Sequence, residues 1–238
     1  MFNSFGKKLT IIVPCYNENK TIKIILDKIE SINDIKKQII VVDDFSTDNS
    51  KKIINNYNFK SENHLIFHEK NLGKGSCIIS SKPYISGDIV LIQDADLEYN
   101  PMNYYDLLEP ILSKKTNVVY GSRVLQKKRY LKNSYSKKYL ILANHFLTLF
   151  SNFINKQYLT DAHTCYKVIN TDIFNSIILQ EKGFAFCPEI TTKLSNLGEK
   201  IIEVPIDYNG RNYKEGKKIR FIDGIEAIIS ILKYKYLT

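Results

Sequence analysis

The sequence predicts an α/β protein with a mostly parallel sheet flanked by helices, and three observations predict it. Strand-like and helix-like segments alternate through residue 125. The strand segments "IIV", "IIVV" and "IVLI" are continuously apolar, as in strands covered on both faces. Polar and acidic residues gather just after these runs, in "PCYNEN", "DDFSTD" and "QDADLE". In open α/β sheets, ligands bind at those carboxyl ends.

"LTIIVPCYN" reads as a buried strand ending at Pro14. "TIKIILDKIESI" follows as a helix with Ile22, Ile25, Leu26, Ile29 and Ile32 on one face. "QIIVVDD" is the second strand. "STDNSKKIINNY" opens on residues suited to a helix N-cap and turns Ile53, Ile54 and Tyr57 inward. "HLIF" is the third strand and "GKGSCIISSK" the next helix. "DIVLIQD" is the fourth strand, "MNYYDLLEPILS" a helix after Pro101, and "NVVYGSR" the fifth strand.

Beyond residue 125 the pattern changes. "KKRYLKNSYSKKY" is basic and aromatic and reads as an exposed loop. "YLILANHFLTLFSNFI" is apolar almost all round, and two readings stand: a helix buried in the core, or one lying in a membrane interface. Its length and its Asn144, His145 and Asn152 exclude a span. The final segment, "FIDGIEAIISILKYKYLT", is an amphipathic helix. Its Lys233 and Lys235 serve either as dipole partners or as membrane contacts. With no repeat and no linker, residues 1–238 read as one unit, with a first half over about 8–125 and a second over about 126–238.

Composition narrows the function. Hydrophobic residues make up 44% of the chain and charged residues 25%, which excludes a disordered chain. Lys plus Arg number 34 against 25 Asp plus Glu, a net charge of +9. This excess fits an anionic partner (nucleic acid, a phosphorylated metabolite or an anionic membrane) and equally a chain that is simply rich in lysine. No nucleic-acid-binding motif is present, and the strand ends are acidic, which argues against nucleic acid. Cys15, Cys77, Cys165 and Cys187 form no CxxC pair and read as reduced thiols. His64 and His68 flank a strand, about 13 Å apart, too far for one metal, and read as surface residues. The N-terminus shows no signal-peptide pattern, and no apolar run reaches 18 residues.

The residues that carry chemistry sit at the strand ends. Asp94 and Asp96 follow a strand directly, and Glu98 continues the alternation before Pro101. Closely packed carboxylates need a cation, and hard oxygen ligands suit Mg²⁺ or Mn²⁺. Asp43 and Asp44 end another strand, where an acid can accept bonds from a nucleobase N–H or a ribose hydroxyl. "NLGKGS" is a glycine loop holding Lys74, but neither a Walker A loop nor a dinucleotide fingerprint, so NAD and ATPase readings fall away.

Together these motifs resemble the family 2 glycosyltransferases, with their GT-A fold. "IIVPCYNE", "VVDDFSTD" (with Phe45 where the family usually has Gly), "KNLGKG" and "DADLEYNP" occur in the family's order. "YGSR", "TDAHTCYKV", "FCPEITTKL" and "EVPIDYNGRNYKEGKKI" resemble the branch of dolichyl- and polyprenyl-phosphate sugar transferases typified by dolichol-phosphate mannosyltransferase. That branch often has Ser-Gly-Phe/Tyr-Lys/Arg where this chain has Thr164, Cys165, Tyr166 and Lys167.

The resemblance implies a nucleotide-sugar-binding first half and an acceptor-side second half with a helical extension. It implies that Asp94, Asp96 and Glu98 hold Mg²⁺ or Mn²⁺. Pro14, Tyr16, Glu18 and Asp44 would line the nucleoside, and Lys74, Asp94, Ala95 and Asp96 would complete the donor site. Arg211, Lys217 and Lys218 would meet the phosphates, and Arg123 and Arg129 the acceptor phosphate. Asp161 is a candidate base or else the partner of a basic neighbour such as Lys167. The implied reaction is an inverting transfer of a hexose from GDP-mannose or a UDP-hexose to a polyprenyl or dolichyl phosphate. Transfer to a saccharide in capsule or envelope synthesis is the alternative. The implied setting is peripheral, on the cytoplasmic face of a membrane, with room for a membrane-protein partner.

Overall fold

The computed structural model describes residues 6–125, 135–211 and 221–237. Its sheet has seven strands in the order β3-β2-β1-β4-β6-β5-β7. β1 (Leu9–Cys15) lies between β2 (Lys37–Asp43) and β4 (Ile89–Ile92), parallel to both, and β3 (Glu62–Phe67) adds in parallel at the edge. β1, β2 and β4 are buried along almost their whole length, which is why their sequences run apolar without alternation.

The crossovers are α1 (Ile22–Glu30), α2 (Ser50–Asn55) and α3 (Lys74–Ser81), followed after β4 by α4 (Tyr104–Leu112). α1 buries Ile22, Ile25, Leu26 and Ile29, as its spacing predicts. Burying each such side chain stabilises the fold by about 1.5–3 kcal/mol.

Two strands have no counterpart in the sequence reading. β6 (Lys167–Asn170) inserts antiparallel between β4 and β5 (Val118–Ser122). β7 (Ile201–Pro205) then pairs in parallel with β5. β6 is only four residues long and opens on a lysine, so no apolar run announces it. The remaining helices are α5 (Tyr135–Asn155), α6 (Thr171–Ser176), α7 (Phe186–Asn196) and α8 (Phe221–Tyr236). One hydrophobic cluster runs from Leu9 on β1 through Ile169 on β6 to Ile206 after β7.

α5 is built inside out. Among its described side chains, the fully buried ones are Thr148, Ser151 and Asn155, at 1%, 1% and 3% exposure, Leu147, Phe150 and Ile154 are half-buried, and Leu142, Phe146, Leu149 and Phe153 face outward at 58%, 60%, 54% and 83%. Most of the inward polar groups are hydrogen-bonded, the exception being Asn155 Oδ1, which is buried without a partner. The Thr148 hydroxyl donates to the Asn144 carbonyl at 2.8 Å, and Asn155 donates to Ser151 and Thr192. The buried-helix reading of this segment is therefore corrected. α8 packs against α5 and α7 and also exposes apolar residues, Ile222, Ile225, Ile229 and Leu232 among them. No helix among the described residues is long and apolar enough to cross a membrane.

Candidate active site

The carboxyl ends of β1, β2 and β4 converge on a cluster of acids. Three non-glycine residues there hold a left-handed backbone: Asn17 (φ 52), Phe45 (φ 65) and Leu97 (φ 61). Such conformations persist where surrounding contacts over-determine them. The Asn17 side chain supplies some of those contacts, accepting from the Thr47 N–H at 2.8 Å and so tying the loop after β1 to the loop after β2. Phe45 stands where the resembling family has glycine, and its positive φ is the physical reason for that glycine.

Asp94, Ala95 and Asp96 leave β4 directly. Ala95 is buried, and the Asp96 carboxylate accepts from the Glu98 N–H at 3.1 Å. A bridge between Tyr99 and Tyr208, with the Asn209 N–H donating to the Glu98 carbonyl at 2.9 Å, brings the segment after β7 alongside this loop. Arg211 is delivered by that bridge. Its guanidinium donates to Glu18 at 3.0 and 3.1 Å and to Asp96 at 2.7 Å, and its Nε lies 3.6 Å from Glu98. Glu98 also accepts from the Arg211 N–H at 2.7 Å and from the Tyr208 hydroxyl at 2.8 Å. Burial, with Asp94 and Glu98 beside it, pushes the Asp96 carboxyl up to about 7 against the pull of Arg211.

Lys74 reaches the same acids from the other side. Its ammonium pairs with Asp94 and lies 3.0 Å from the Cys165 sulfur. Burial works against that charge, but Asp94 outweighs it and holds the lysine well above its usual range. The glycines of "NLGKGS" make this placement possible. A Cβ on Gly75 would stand 2.0 Å from the Glu181 carbonyl oxygen, and one on Gly73 2.6 Å from that of Lys182. The 181–182 backbone is in turn anchored by buried Glu189, which accepts from the N–H groups of Gln180 and Glu181 at 2.8 and 2.9 Å.

Asp44 is placed differently from the expectation. Its carboxylate accepts from the N–H groups of Leu72 and Gly73 at 2.9 and 2.7 Å, and His68 Nδ1 lies 2.7 Å away. The His68 side chain is thus buried against Asp44 and Ser80, which corrects its surface reading, while His64 is half-buried and stacks on exposed Tyr84 at 3.7 Å. Asp44, His68 and Cys77 carry ligand-type atoms within 4.8 Å of one another. His68 and Asp44 are already committed to hydrogen bonds, and the Cys77 thiol points at the Gly73 carbonyl, which makes the cluster a brace for the glycine loop. Next to it, Asp43 is buried and its Oδ1 has no hydrogen-bond partner. Pro14 and Tyr16 are half-buried at the end of β1 and just beyond it.

At the end of β5, Arg123 grips Asp161 through Nε at 2.6 Å and Nη2 at 2.7 Å, with its backbone N–H at 3.1 Å. Asn144 of α5 adds a fourth donor at 3.2 Å. Burial opposes the Asp161 charge, but Arg123 outweighs it and holds the carboxyl well below the usual range. The carboxylate is thus committed to four donors. Its partner is Arg123, and not Lys167, whose ammonium donates to the Ala162 and Thr164 carbonyls. Glu203 fixes the turn beneath, accepting from the Thr160 and Asp161 N–H groups at 2.6 and 2.8 Å. Arg123 also lies over the Tyr208 ring, 5.2 Å from its centroid, which links this pair to the acid cluster. Glu203, Asn144, Tyr99 and Tyr208 were missed in the sequence, where only their places within motifs could have marked them. Arg129, Lys217 and Lys218 lie outside the described residues.

Acids gathered at the carboxyl ends of a mostly parallel sheet, with an antiparallel strand inserted beside them, belong here to a GT-A fold. The family model "Glycosyl transferase family 2" matches residues 10–178, and the chain belongs to that family. It is 27% identical, over 98% of its length and 74% of the relative's, to a dolichyl-phosphate beta-glucosyltransferase of Trichomonas vaginalis. It is 28% identical, over 96% of each chain, to a UDP-N-acetylglucosamine–dolichyl-phosphate N-acetylglucosaminyltransferase of Methanococcus voltae. In fold it is similar to glucosyl-3-phosphoglycerate synthase of Mycobacterium tuberculosis in complex with Mn²⁺, UDP and glucosyl-3-phosphoglycerate. The TM-score is 0.71 at 18% identity, covering 99% of this chain and 82% of the other. The chain is a family 2 glycosyltransferase.

Proposed function

We propose that this enzyme transfers a hexose from a nucleotide sugar to a polyprenyl or dolichyl phosphate, with inversion, while seated on the cytoplasmic face of a membrane. The observation that carries the lipid acceptor is the inside-out α5. It holds Asn144 against the Arg123–Asp161 pair on one side and presents Leu142, Phe146, Leu149 and Phe153 on the other. A helix that buries hydroxyls and exposes phenylalanines is matched to an apolar phase, and α8 extends the exposed apolar surface. The six Lys and Arg of residues 127–138 suit anionic lipid headgroups. The acceptor relatives named above support the same reading.

The oxygen donors Asp94, Asp96 and Glu98 fit Mg²⁺ or Mn²⁺, because with Glu18 they make four carboxylates that share two side-chain cations among the described residues, Lys74 and Arg211. When bound there, the metal supplies positive charge to the departing nucleoside diphosphate. Asp43, with its orphaned Oδ1, takes the nucleoside N–H in place of Asp44, which shapes the loop beneath; Pro14 and Tyr16 flank it. Arg123, oriented by Asp161, presents its remaining Nη1 to the acceptor phosphate. The acceptor oxygen is already ionised, so it needs positioning and no base. It bonds to the anomeric carbon as the sugar–phosphate bond breaks, and that electron pair leaves with the diphosphate. Residues 8–125 serve as the donor half and 126–238 as the acceptor half of one unit.

The test is a transfer assay with Mn²⁺ or Mg²⁺, undecaprenyl or dolichyl phosphate and a panel of labelled UDP- and GDP-sugars. Metal-dependent label in the organic phase is expected. Diphosphate release only when saccharides are added would move the acceptor to a polysaccharide.

A further inference from the structure

Among the described residues, four carboxylates, Glu18, Asp94, Asp96 and Glu98, are paired with two side-chain cations in this site, and one of those cations does unusual duty. Arg211 alone touches three of the four. A guanidinium matches one carboxylate well, through two parallel N–H bonds. Here Nη1 and Nη2 are used on Glu18, Nη2 is shared with Asp96, and Nε is buried 3.6 Å from Glu98 with no hydrogen-bond partner. The arginine therefore pairs fully with Glu18, shares one nitrogen with Asp96, and meets Glu98 through its side chain by charge alone, with Nε left unsatisfied. Its tether is short: the Tyr99–Tyr208 bridge and the Asn209 and Arg211 N–H bonds to Glu98 hold the backbone, and only the side chain crosses the acids.

We infer that the Arg211 side chain stands in for the divalent cation, and that a nucleoside diphosphate draws it off the acids as the metal enters. The inference rests on the metal and nucleotide reading above. It makes Arg211 a competitor of the metal in the free enzyme and a helper in the nucleotide complex, where its fork pairs with phosphate oxygens. Because linkage is reciprocal, the metal raises nucleotide affinity by the same factor as the nucleotide raises metal affinity.

The prediction is a reversal of sign. Free Mn²⁺ is titrated by its electron paramagnetic resonance signal against wild type and Arg211→Gln, without nucleotide and then with saturating UDP or GDP. Without nucleotide, Arg211→Gln binds Mn²⁺ about tenfold more tightly than wild type, within the usual range of such couplings. With the nucleotide that binds, the gain disappears or becomes a loss. Arg211→Lys, which keeps the charge but cannot bridge Glu18 and Asp96, falls between, and it serves as the second variant if Arg211→Gln melts early. Equal tightening with and without nucleotide overturns the inference, because Arg211 then stays on the acids. No tightening without nucleotide overturns it too. If neither UDP nor GDP binds, the nucleotide-sugar reading fails along with the release step, whereas binding without the reversal sinks the inference alone.

Discussion

The acid cluster at the ends of β1 and β4 and the Arg123–Asp161 pair at the end of β5 are both sheltered from water, yet they are opposite kinds of site. Among the described residues the first has more carboxylates than cations, and Asp96 is pushed up toward neutrality. The second is closed: Asp161 accepts four hydrogen bonds, three of them from Arg123, and its carboxyl is pulled down. A cluster with that excess of acids suits the proposed cation from outside. A satisfied pair is built to hold one of its members, here Arg123, in a fixed direction. The difference assigns roles that residue type cannot, since both sites are Asp and Arg.

The comparison breaks first on activity. Asp96→Ala is expected to lower transfer by about a thousandfold, the scale of losing a charge-stabilising group, with melting temperature held or raised. Normal turnover would show that the acids do not carry the metal. Asp161→Asn acts the other way round, on the fold. Removing one partner of a buried ion pair costs about 3–5 kcal/mol, read as a lower urea midpoint. A variant of unchanged stability would mean that the pair is dispensable packing.

The two sites also predict opposite pH slopes in metal-free protein. Asp96 titrates higher folded than unfolded, so its proton stabilises the fold at low pH, and that contribution is lost as pH rises from about 4 to about 7. Asp161 titrates lower folded than unfolded, so its contribution is present above about 4 and lost as pH falls below that. Melting temperature measured across pH in EDTA should flatten in the upper window for Asp96→Asn and in the lower window for Asp161→Asn. A shared change in both windows would erase the distinction. The smallest effects lie on α5. Asn144→Ala removes one donor to Asp161 and should cost about 1 kcal/mol. Phe146→Ser, on the outward face of the same helix, should change stability by no more than about 0.5 kcal/mol while weakening sedimentation with anionic vesicles.

The parallel half of the sheet was legible because its strands are buried on both faces and its helices repeat at their own period. Asp94 and Asp96 were legible because they end one of those strands. Asp43 and Asp44, two acids in a row, look alike in sequence. Only the packing of the Leu72–Gly73 backbone on Asp44 tells them apart, leaving Asp43 with an oxygen to spare. α5 misled for a related reason. Its composition is apolar, and composition alone does not say which face meets the protein.

By itself, then, the sequence determined the local elements, the order of strands and helices through residue 125, and the chemistry gathered at their ends. Periodicity, caps and glycine loops act over a few residues and are written in a few residues. Only the tertiary structure decided that β6 inserts antiparallel, that α5 turns Phe146 and Phe153 outward, and which charge pairs with which. Glu18 and Arg211 are 193 positions apart and Arg123 and Asp161 are 38 apart. An ion pair at such separations is set by where the sheet brings the chain back, because charge attracts any opposite charge and only the packed backbone selects one.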